Sequence, residues 1–540
     1  MTSRMASAAV AICIASASFG RPQPQDGTAP PFVSKVWVGD NGDGTYKNPV
    51  LHADYSDPDV IRVGDDYYLV ASSFSSVPGI PVLHSKDLVN WEILTHVYDQ
   101  QPPLDAFRTP RHGGGAWAPS IRYHDGQFLV FYPDPDYGIY VSAATNPAGP
   151  WSPPQLIKEV KGWIDPCPFW DDDGRAYLVS AFARSRSGVY STLIISRMSP
   201  DGTRLLDDGV LVFDGHDKHP TVEGPKLYKR TGYYYIFAPA GGVTEGWQLV
   251  LRSRNIYGPY EERVVLAQGK SPVNGPHQGG WVETPNGESW FMHFQDKGPF
   301  GRVVHLQPMR WEDGWPVIGN NGEPVLRHAK PWTAAPVPRQ TPPDSDEFNQ
   351  PRIGPQWQWE ANPQPGWALP SQALGALRLF CVRPPPVSHG LYDLPNLLLQ
   401  KFPAPEFTAT AKLKFAPKAD GDKTGLLIFA PAYAALAIQK RGEKLELSLA
   451  TCDGADRGAA EVDGQAVPLP SAAVYLRVHV TPDGKCRFSY SIDGTTYTTV
   501  GELFQARKGA WIGAKVGLFA TSSAPAAEYG YADFDWFRVE

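Results

Sequence analysis

Residues 57–73 read DPDVIRVGDDYYLVASS, which is a short strand, a turn at Gly64 and Asp65, and a second strand rich in Tyr, Leu and Val. The pattern occurs four more times, as APSIRYHDGQFLVFYPD, DPCPFWDDDGRAYLVSAF, GPKLYKRTGYYYIFAPA and GGWVETPNGESWFMHFQD. The five units begin at residues 57, 118, 165, 224 and 279, so they are spaced by 61, 47, 59 and 55 residues. A period of about fifty residues with several strands per unit is typical of propeller blades. The sequence therefore predicts a five-bladed β-propeller.

A second domain follows the five units. The stretch HAKPWTAAPVPRQTPPDSDEF (residues 328–348) is rich in Pro and polar residues, which indicates a domain boundary. Beyond it, short strands such as FTATAKLKF, KLELSLA and VYLRVHV alternate with polar turns, which predicts a β-sandwich of the jelly-roll kind. We therefore expect an all-β protein with an N-terminal extension at 21–45, a propeller at 46–328, a linker at 329–344 and a sandwich at 345–540.

The composition limits the class of ligand. The 540 residues carry a formal net charge of -7, whereas proteins that bind nucleic acids or anionic membranes usually present a basic surface. We therefore expect no nucleic-acid partner. Aromatic residues make up 12% of the chain, which also has 52 Gly and 54 Pro. This composition suits a turn-rich β protein that binds a neutral polar molecule such as a sugar.

The first 20 residues resemble a secretory signal peptide, because Arg4 precedes an apolar run of mostly small residues from Ala6 to Phe19. No later segment approaches the roughly 20 uninterrupted apolar residues that cross a bilayer. We therefore expect a secreted or periplasmic protein without a membrane span. The four cysteines that follow the predicted signal peptide lack zinc-type spacing and are expected to be buried. The sequence does not decide whether two of the last three form a disulfide. The four are Cys167, Cys381, Cys452 and Cys486.

Three acidic residues occupy related positions in the repeats. Asp57 and Asp165 begin their units, and Glu223 lies one residue before the start of the fourth. The innermost strand of each blade faces the central axis of a propeller, so equivalent positions converge on one cavity. An isolated Asp-Pro commonly starts a turn and nothing more. Three coincident acids instead predict a shared pocket.

Glycoside hydrolysis suits such a group of acids. It needs a protonated carboxyl that donates to the leaving oxygen and an ionised carboxylate that acts on the other side of the sugar. A third acid nearby raises the proton affinity of the donor, since like charges in a poorly solvated pocket resist joint ionisation. The chain has no G-x-S-x-G motif and no G-x-G-x-x-G after a strand, so a serine nucleophile and a dinucleotide cofactor are not expected.

Several motifs together are highly specific: NPVLHADYSDPDVIRVGDDYYLVASSF, GGGAWAPSIRY, WIDPCPFWDDDGRAYLV, TVEGPKLYK, HQGGWVET and GRVVHLQPMRW. They resemble the five-bladed catalytic domain of the β-xylosidases and α-L-arabinofuranosidases of glycoside hydrolase family 43. Residues 344–540 resemble the concanavalin-like sandwich joined to them. The resemblance implies an inverting mechanism with Asp57 as general base, Glu223 as general acid, and Asp165 as the residue that modulates the pKa of the acid and orients it.

Further residues are candidates around the acids. Trp117 and Phe74 offer flat faces for a sugar, although core packing would explain either ring. The resemblance implies that Arg302 lies near the sugar and keeps Asp165 ionised, and that Trp511 of the sandwich reaches the rim of the pocket. It also implies that His277 lies near the propeller axis, where some family members bind a calcium ion, mostly through water. No cofactor is expected in the chemistry itself.

The predicted function is the release of terminal xylose or arabinofuranose from hemicellulose oligosaccharides, and the choice between the two sugars stays open. Three alternatives remain: a propeller lectin that binds without cleaving, a retaining fructan-type enzyme, and a relative with an open groove that cuts arabinan or galactan internally. The fructan-type opening N-D-P-N-G is absent, since the chain reads SDPDV. Asp54 and Asp59, which flank the proposed base, are interpreted as structural.

Overall fold

The computed structural model describes residues 30–386, 388, 390–524 and 528–540. The predicted signal peptide at residues 1–20 therefore lies outside the described residues. Almost all regular structure in the described chain is β-strand, arranged as five four-stranded antiparallel sheets followed by two eight-stranded sheets. The predicted fold, a five-bladed propeller and a β-sandwich, is confirmed.

The five blades follow one another along the chain, and each is a simple up-and-down sheet. Blade 1 contains Asp59–Val63, Asp66–Val70, Gly79–Ser85 and Trp91–Tyr98. Blade 2 contains Ser120–His124, Gln127–Asp134, Gly138–Ala144 and Gln155–Glu159. Blade 3 contains Trp163–Trp170, Ala176–Phe182, Thr192–Met198 and Val210–Asp214. Blade 4 contains Lys226–Arg230, Tyr233–Ala240, Trp247–Ser253 and Glu261–Ala267. Blade 5 contains His277–Glu283, Ser289–Asp296, Arg302–Glu312 and Trp315–Ile318.

Apolar residues on both faces of each blade hold the ring together. In the second strand of blade 1, Tyr67 and Leu69 belong to the cluster shared with blade 5, whereas Tyr68 and Val70 belong to the cluster shared with blade 2. Successive side chains of a strand point to opposite faces, so a strand packed on both sides reads as a continuous apolar run. One such cluster lies between every pair of neighbouring blades, and the ring closes between blades 5 and 1.

The first strand of each blade is the inner one. That of blade 1 contacts those of blades 2 and 5, and that of blade 3 contacts those of blades 2 and 4. Because the strands of a blade are antiparallel, the segments that lead into the first strands open on the same side as the loops between second and third strands. We call this side the entry face. Asp57 and Glu223 lie in the segments that enter inner strands, and Asp165 lies near the start of the inner strand of blade 3.

The sandwich is formed by two sheets that enclose one large apolar core. The first sheet contains Gln358–Trp359, Leu398–Lys401, Lys515–Ser522, Asp422–Phe429, Ala432–Arg441, Lys444–Asp453, Val462–Asp463 and Val467–Leu469. The second contains Ala368–Ser371, Ala376–Phe380, Tyr531–Val539, Phe407–Ala416, Ala473–Val480, Lys485–Ser491, Thr498–Thr499 and Phe504–Gln505. A separate two-stranded sheet pairs Thr45–Lys47 with Arg327–Ala329.

Helices are short in the described chain. Two are α-helices, Arg184–Ser187 and Gly242–Glu245, both in entry-face loops, and three are 3₁₀ helices, Gly298–Phe300, Gly390–Asp393 and Ala455–Arg457. None of the helices in the described ranges is long and apolar enough to cross a membrane.

The sandwich is fastened to the entry face of the propeller. Val77, in the loop between the second and third strands of blade 1, pairs with Trp359 of the sandwich in an isolated β-bridge. Phe300, in the equivalent loop of blade 5, is buried in the sandwich core. The backbone N–H of Ala514 also donates to the carbonyl of Pro299 at 2.8 Å. The two domains therefore share both backbone pairing and core packing.

The four cysteines of the described chain are buried free thiols. The disulfide left open by the sequence is therefore not formed among Cys381, Cys452 and Cys486. Burial raises the pKa of Cys486 to about 12, and it also raises the pKa values of the other two thiols. These thiols stay protonated at neutral pH and pack as small apolar side chains.

Candidate active site

The backbone brings the three acids to one level of the entry face. Asp57 lies just before the first strand of blade 1 and Asp165 lies near the start of the first strand of blade 3, and both have left-handed backbones with φ of 55° and 56°. Gly224 holds the equivalent place in blade 4 with φ of 57°, so Glu223 enters the pocket from one residue earlier. A left-handed conformation at a non-glycine residue costs roughly 1–3 kcal/mol and is concentrated at functional sites.

Asp57 is surrounded by hydrogen-bond donors. The hydroxyls of Ser56 and Ser72 donate to its Oδ2 at 2.7 and 2.6 Å. Arg302 Nη1 donates to its Oδ1 at 2.9 Å. A carboxylate can accept about four hydrogen bonds, so these three donors leave one position on Oδ1. The arrangement suits a carboxylate that takes a proton from a water molecule.

Arg302 contacts Asp57, not Asp165 as predicted. Besides its bond to Asp57, its Nη1 donates to Ser56 Oγ at 2.8 Å, and its guanidinium lies 4.8 Å from the ring centre of Phe294. The reason is the closure of the ring: Arg302 begins the third strand of blade 5, which neighbours blade 1. The expectation that Arg302 keeps Asp165 ionised is therefore wrong.

Asp165 is the buried member of the acid pair. It is 2% exposed, and its Oδ2 accepts a hydrogen bond from the backbone N–H of Gly224 at 2.7 Å. Burial raises the pKa of Asp165 to about 8, with further contributions from the negative charges of Glu223 and Asp57. Asp165 therefore keeps a proton at neutral pH.

Asp165→Asn tests this protonation. The folded-state pKa of Asp165 is raised above the ordinary value of 3.8. The stability contributed by the protonated carboxyl is therefore present at low pH and is lost as the pH rises towards about 8. We expect the melting temperature of Asp165→Asn to exceed that of the wild type at about pH 8.5, and the difference to shrink towards about pH 5. A difference that is equal at every pH would contradict this protonation.

Glu223 is the accessible member of the pair. Its side chain is 30% exposed, and its Oε1 lies 2.9 Å from Nε2 of His277. His277 is buried at the start of the inner strand of blade 5, so it holds the carboxyl from the neighbouring blade. Glu223 is therefore the carboxyl of the two that a bound molecule can reach, because Asp165 is almost fully buried.

Three aromatic side chains form a wall on the entry face. The rings of Phe74 and Trp117 are 6.3 Å apart, and those of Trp117 and Trp511 are 5.7 Å apart and edge-on. Phe74 is buried, whereas Trp511 is 49% exposed. Trp511 therefore brings a partly uncovered indole from the sandwich to the entry face of the propeller, beside Trp117.

Asp54, interpreted from the sequence as structural, joins this wall to the base. Its Oδ1 accepts from the backbone N–H of Arg302 at 3.0 Å, and its Oδ2 from that of Gly513 at 2.7 Å. Burial raises its pKa. A β-carbon at Gly301 would lie 2.4 Å from the Asp54 carboxyl carbon, so only glycine fits there. The loop that carries Trp511 is thus tied to the residue that contacts Asp57.

Comparisons with known proteins agree with this geometry. The model of the family described as glycosyl hydrolases family 43 matches residues 46–316, which is half of the chain, and the model of the β-xylosidase C-terminal concanavalin A-like domain matches residues 345–540. A protein of Xylanibacter ruminicola is 41% identical over 519 residues, 91% of this chain and 90% of that protein. The chain belongs to glycoside hydrolase family 43.

Other family 43 members match along nearly their whole length. A non-reducing end α-L-arabinofuranosidase of Bacteroides ovatus is 29% identical, over 91% of this chain and 94% of that protein. The crystal structure of a xylan β-1,4-xylosidase from Bacillus halodurans has a TM-score of 0.81 and 27% identity, covering 92% of this chain and 99% of that one. The predicted family and the prediction of a glycoside hydrolase are confirmed.

His277, which the resemblance implied to lie near a mostly water-coordinated calcium ion, has a buried Nδ1 without a hydrogen-bond partner. Calcium takes six to eight oxygen ligands. In the described ranges, no group of three or more His, Cys, Asp or Glu side chains could hold a metal ion, and His277 is committed to Glu223 through Nε2. Protein cations lie among the inner strands: Arg122 contacts Asp59 at 2.6 Å, and Lys226 contacts the Ser120 hydroxyl at 2.8 Å.

The sequence did not single out the two serines on Asp57, or His277 as a partner of Glu223. The sequence did contain a signal for Ser72. The two-residue turn at Gly64 and Asp65 pairs Val63 with Asp66, and the same register places residue 72 opposite residue 57. It contained no signal for the pairing of His277 with Glu223, because these residues come from different blades.

Proposed function

We propose that this protein is an exo-acting, inverting glycosidase that removes terminal β-D-xylose or α-L-arabinofuranose from hemicellulose oligosaccharides. The observation that carries the proposal is that a carboxylate held by three donors, Asp57, lies near a buried carboxyl that keeps a proton, Asp165, and near the accessible carboxyl of Glu223. The named activities of the relatives from Bacteroides ovatus and Bacillus halodurans support the choice of a pentose.

The acid step belongs to Glu223. As the glycosidic bond breaks, the leaving oxygen becomes basic and needs a proton. Glu223 presents the accessible carboxyl, and Asp165 lies beside it as a buried carboxyl for which a negative charge is costly. His277 fixes the orientation of the carboxyl. After the reaction, Glu223 regains a proton from solvent.

The base step belongs to Asp57. A water molecule that donates to the free position on Oδ1 transfers a proton to Asp57 while its oxygen attacks the anomeric carbon. Arg302 and the two serine hydroxyls hold the carboxylate in place. Attack on the side opposite the leaving group inverts the anomeric configuration. The proton then passes from Asp57 to solvent.

The sandwich favours cleavage at a chain end. Trp511 stands beside Trp117 at the edge of the site, and the Asp54 contact to Gly513 fastens its loop. An aromatic residue in this place narrows the approach to the acids, whereas internal cleavage requires a groove open at both ends. We therefore propose release of single pentoses.

The site of action is proposed from the sequence. The apolar run at residues 6–19 supports export of the protein to the periplasm or the exterior, where hemicellulose fragments are encountered. Expression of the full chain followed by cell fractionation tests this: activity confined to the cytoplasm would contradict it.

The direct test of the proposed function is hydrolysis of 4-nitrophenyl β-D-xylopyranoside and 4-nitrophenyl α-L-arabinofuranoside by the purified protein, together with product analysis on xylo-oligosaccharides and arabino-oligosaccharides. We expect activity on at least one aryl pentoside and a free pentose as the first product from an oligosaccharide. Cleavage that first yields two oligosaccharides and no free pentose would contradict exo-action.

Trp511→Ala is expected to raise KM for a disaccharide such as xylobiose by about three- to tenfold, the size expected when a single aromatic contact is lost. The melting temperature should change little, since the ring is half exposed. Trp332→Ala is the matched control, because Trp332 is 42% exposed and its backbone contacts Glu288 in a turn on the side opposite the entry face. Equal effects of the two substitutions on KM would contradict a role of Trp511 in the site.

A further inference from the structure

Gln278 occupies the position in blade 5 that Asp57, Asp165 and Gly224 occupy in blades 1, 3 and 4. The residue before each of these positions pairs with the second strand of its own blade: Ser56 with Ser72, Ile164 with Ala181, Glu223 with Pro239, and His277 with Phe294. Gln278 lies in a β-bulge, where the register shifts between His277 and Gly279. The repeat alignment from sequence, which began this unit at Gly279, is therefore wrong by one residue.

The backbone of Gln278 is left-handed, with φ of 34°. Glycine adopts this conformation without strain, and glycine follows at the next position, yet this place holds a glutamine. Bulges beside active sites commonly redirect one side chain, and strain of this kind is concentrated at functional sites. The strained backbone indicates that the side chain of Gln278 has a functional role at the site.

The side chain of Gln278 lies against the acids. A β-carbon at Gly224 would be 2.6 Å from its Cγ and 2.9 Å from its amide carbon. The backbone N–H of Gly224 donates a hydrogen bond to Asp165, and His277, the residue before Gln278, is hydrogen-bonded to Glu223. Gln278 is therefore placed between the contacts that fix the two members of the acid pair.

Gln278 is only 5% exposed, and its amide oxygen is buried without a hydrogen-bond partner. A buried acceptor without a donor is costly, and such groups are uncommon in folded proteins. The neighbouring acids already have their own partners. A donor brought by a ligand would remove the cost.

We infer that Gln278 is a substrate-binding residue, whose amide oxygen accepts a hydrogen bond from one hydroxyl of the pentose bound beside Asp165 and Glu223. The inference rests on the proposed function and adds a specificity-determining contact to it. Sugar hydroxyls are donors, and a pocket whose other polar groups are mostly carboxylates gains orientation from a neutral acceptor at a fixed place.

The test compares the wild type and Gln278→Met on 4-nitrophenyl β-D-xylopyranoside and its 2-deoxy, 3-deoxy and 4-deoxy analogues. If the arabinofuranoside is the better substrate, its 2-deoxy, 3-deoxy and 5-deoxy analogues are used instead. The ratio between variants cancels the intrinsic reactivity of each analogue. We expect the wild type to lose kcat/KM by about tenfold or more on one deoxy analogue through the lost hydrogen bond. For Gln278→Met, kcat/KM on the same analogue should fall by less than about twofold, once the analogue's own difference in chemical reactivity is allowed for.

Two further variants keep the result interpretable. Gln278→Gly removes the side chain but suits the left-handed backbone, so it should show the same loss of discrimination if Met disturbs folding. Gln356→Met is the matched control, because Gln356 is also a buried glutamine with an unpartnered amide oxygen, but beside the sandwich. It should keep the wild-type pattern.

The outcomes separate the inference from the function beneath it. If the wild type hydrolyses the pentosides and Gln278→Met keeps the full discrimination, or if no analogue is discriminated against by the wild type, Gln278 makes no such contact and the inference is overturned. A wild type without pentosidase activity would overturn the proposed function instead.

Discussion

Asp57→Asn is expected to lower kcat/KM by about 10²- to 10⁴-fold, the range in which general bases contribute. Asparagine tolerates the left-handed backbone better than most residues, and its amide oxygen can keep contacts with Ser56, Ser72 or Arg302. The fold should therefore survive, and the loss should report the missing proton acceptor. Thermal unfolding and steady-state kinetics on the aryl pentosides measure both.

Because Asp57 acts on the water and not on the leaving group, the loss should be similar for xylobiose and for a substrate with an activated leaving group such as a 2,4-dinitrophenyl pentoside. Asp65→Asn is the matched control, since Asp65 is exposed in the first turn of the same blade. It should retain wild-type rates. Near-normal activity of a folded Asp57→Asn protein would remove Asp57 from the mechanism.

Glu223→Gln is expected to show a loss that depends on the leaving group. On xylobiose, whose departing alkoxide requires a proton, kcat/KM should fall by about 10²- to 10⁴-fold. On the 2,4-dinitrophenyl pentoside, which leaves as a stable phenolate, the loss should be less than about tenfold, since little general-acid assistance is needed. The ratio of the two losses distinguishes the acid from the base.

The control for this pattern is Glu245→Gln, which removes an exposed carboxylate from a loop of the same entry face. Equal losses on both substrates for Glu223→Gln would indicate that Glu223 contributes through structure and not through proton donation.

The fold and the acids were predictable because both follow from repetition. Each unit of the DPDVIRVGDDYYLVASS type encodes one hairpin whose second strand is apolar on both faces, and stacking five of them buries those faces. Asp57 and Asp165 could then be placed at one level from their position in the unit. The fifth unit was misaligned because the bulge at Gln278 adds one residue that no periodic pattern reveals.

The partners of the acids were less predictable, because they depend on which blades are neighbours. Arg302 was assigned to Asp165, although closure of the ring between blades 5 and 1 places it on Asp57. The contact of Asp54 with Gly513 joins residues 459 positions apart, in two different domains. It depends on how the sandwich docks, which the two separate repeat patterns leave undetermined.

The central claim is that Asp57 directs water at the anomeric carbon while Glu223 protonates the leaving oxygen from the opposite side. Proton NMR of the first-formed sugar during hydrolysis by the wild type, recorded before mutarotation, tests it most directly. The account predicts that the initial product has the anomeric configuration opposite to that of the substrate. A first-formed product with the configuration of the substrate would show a covalent intermediate and contradict the account.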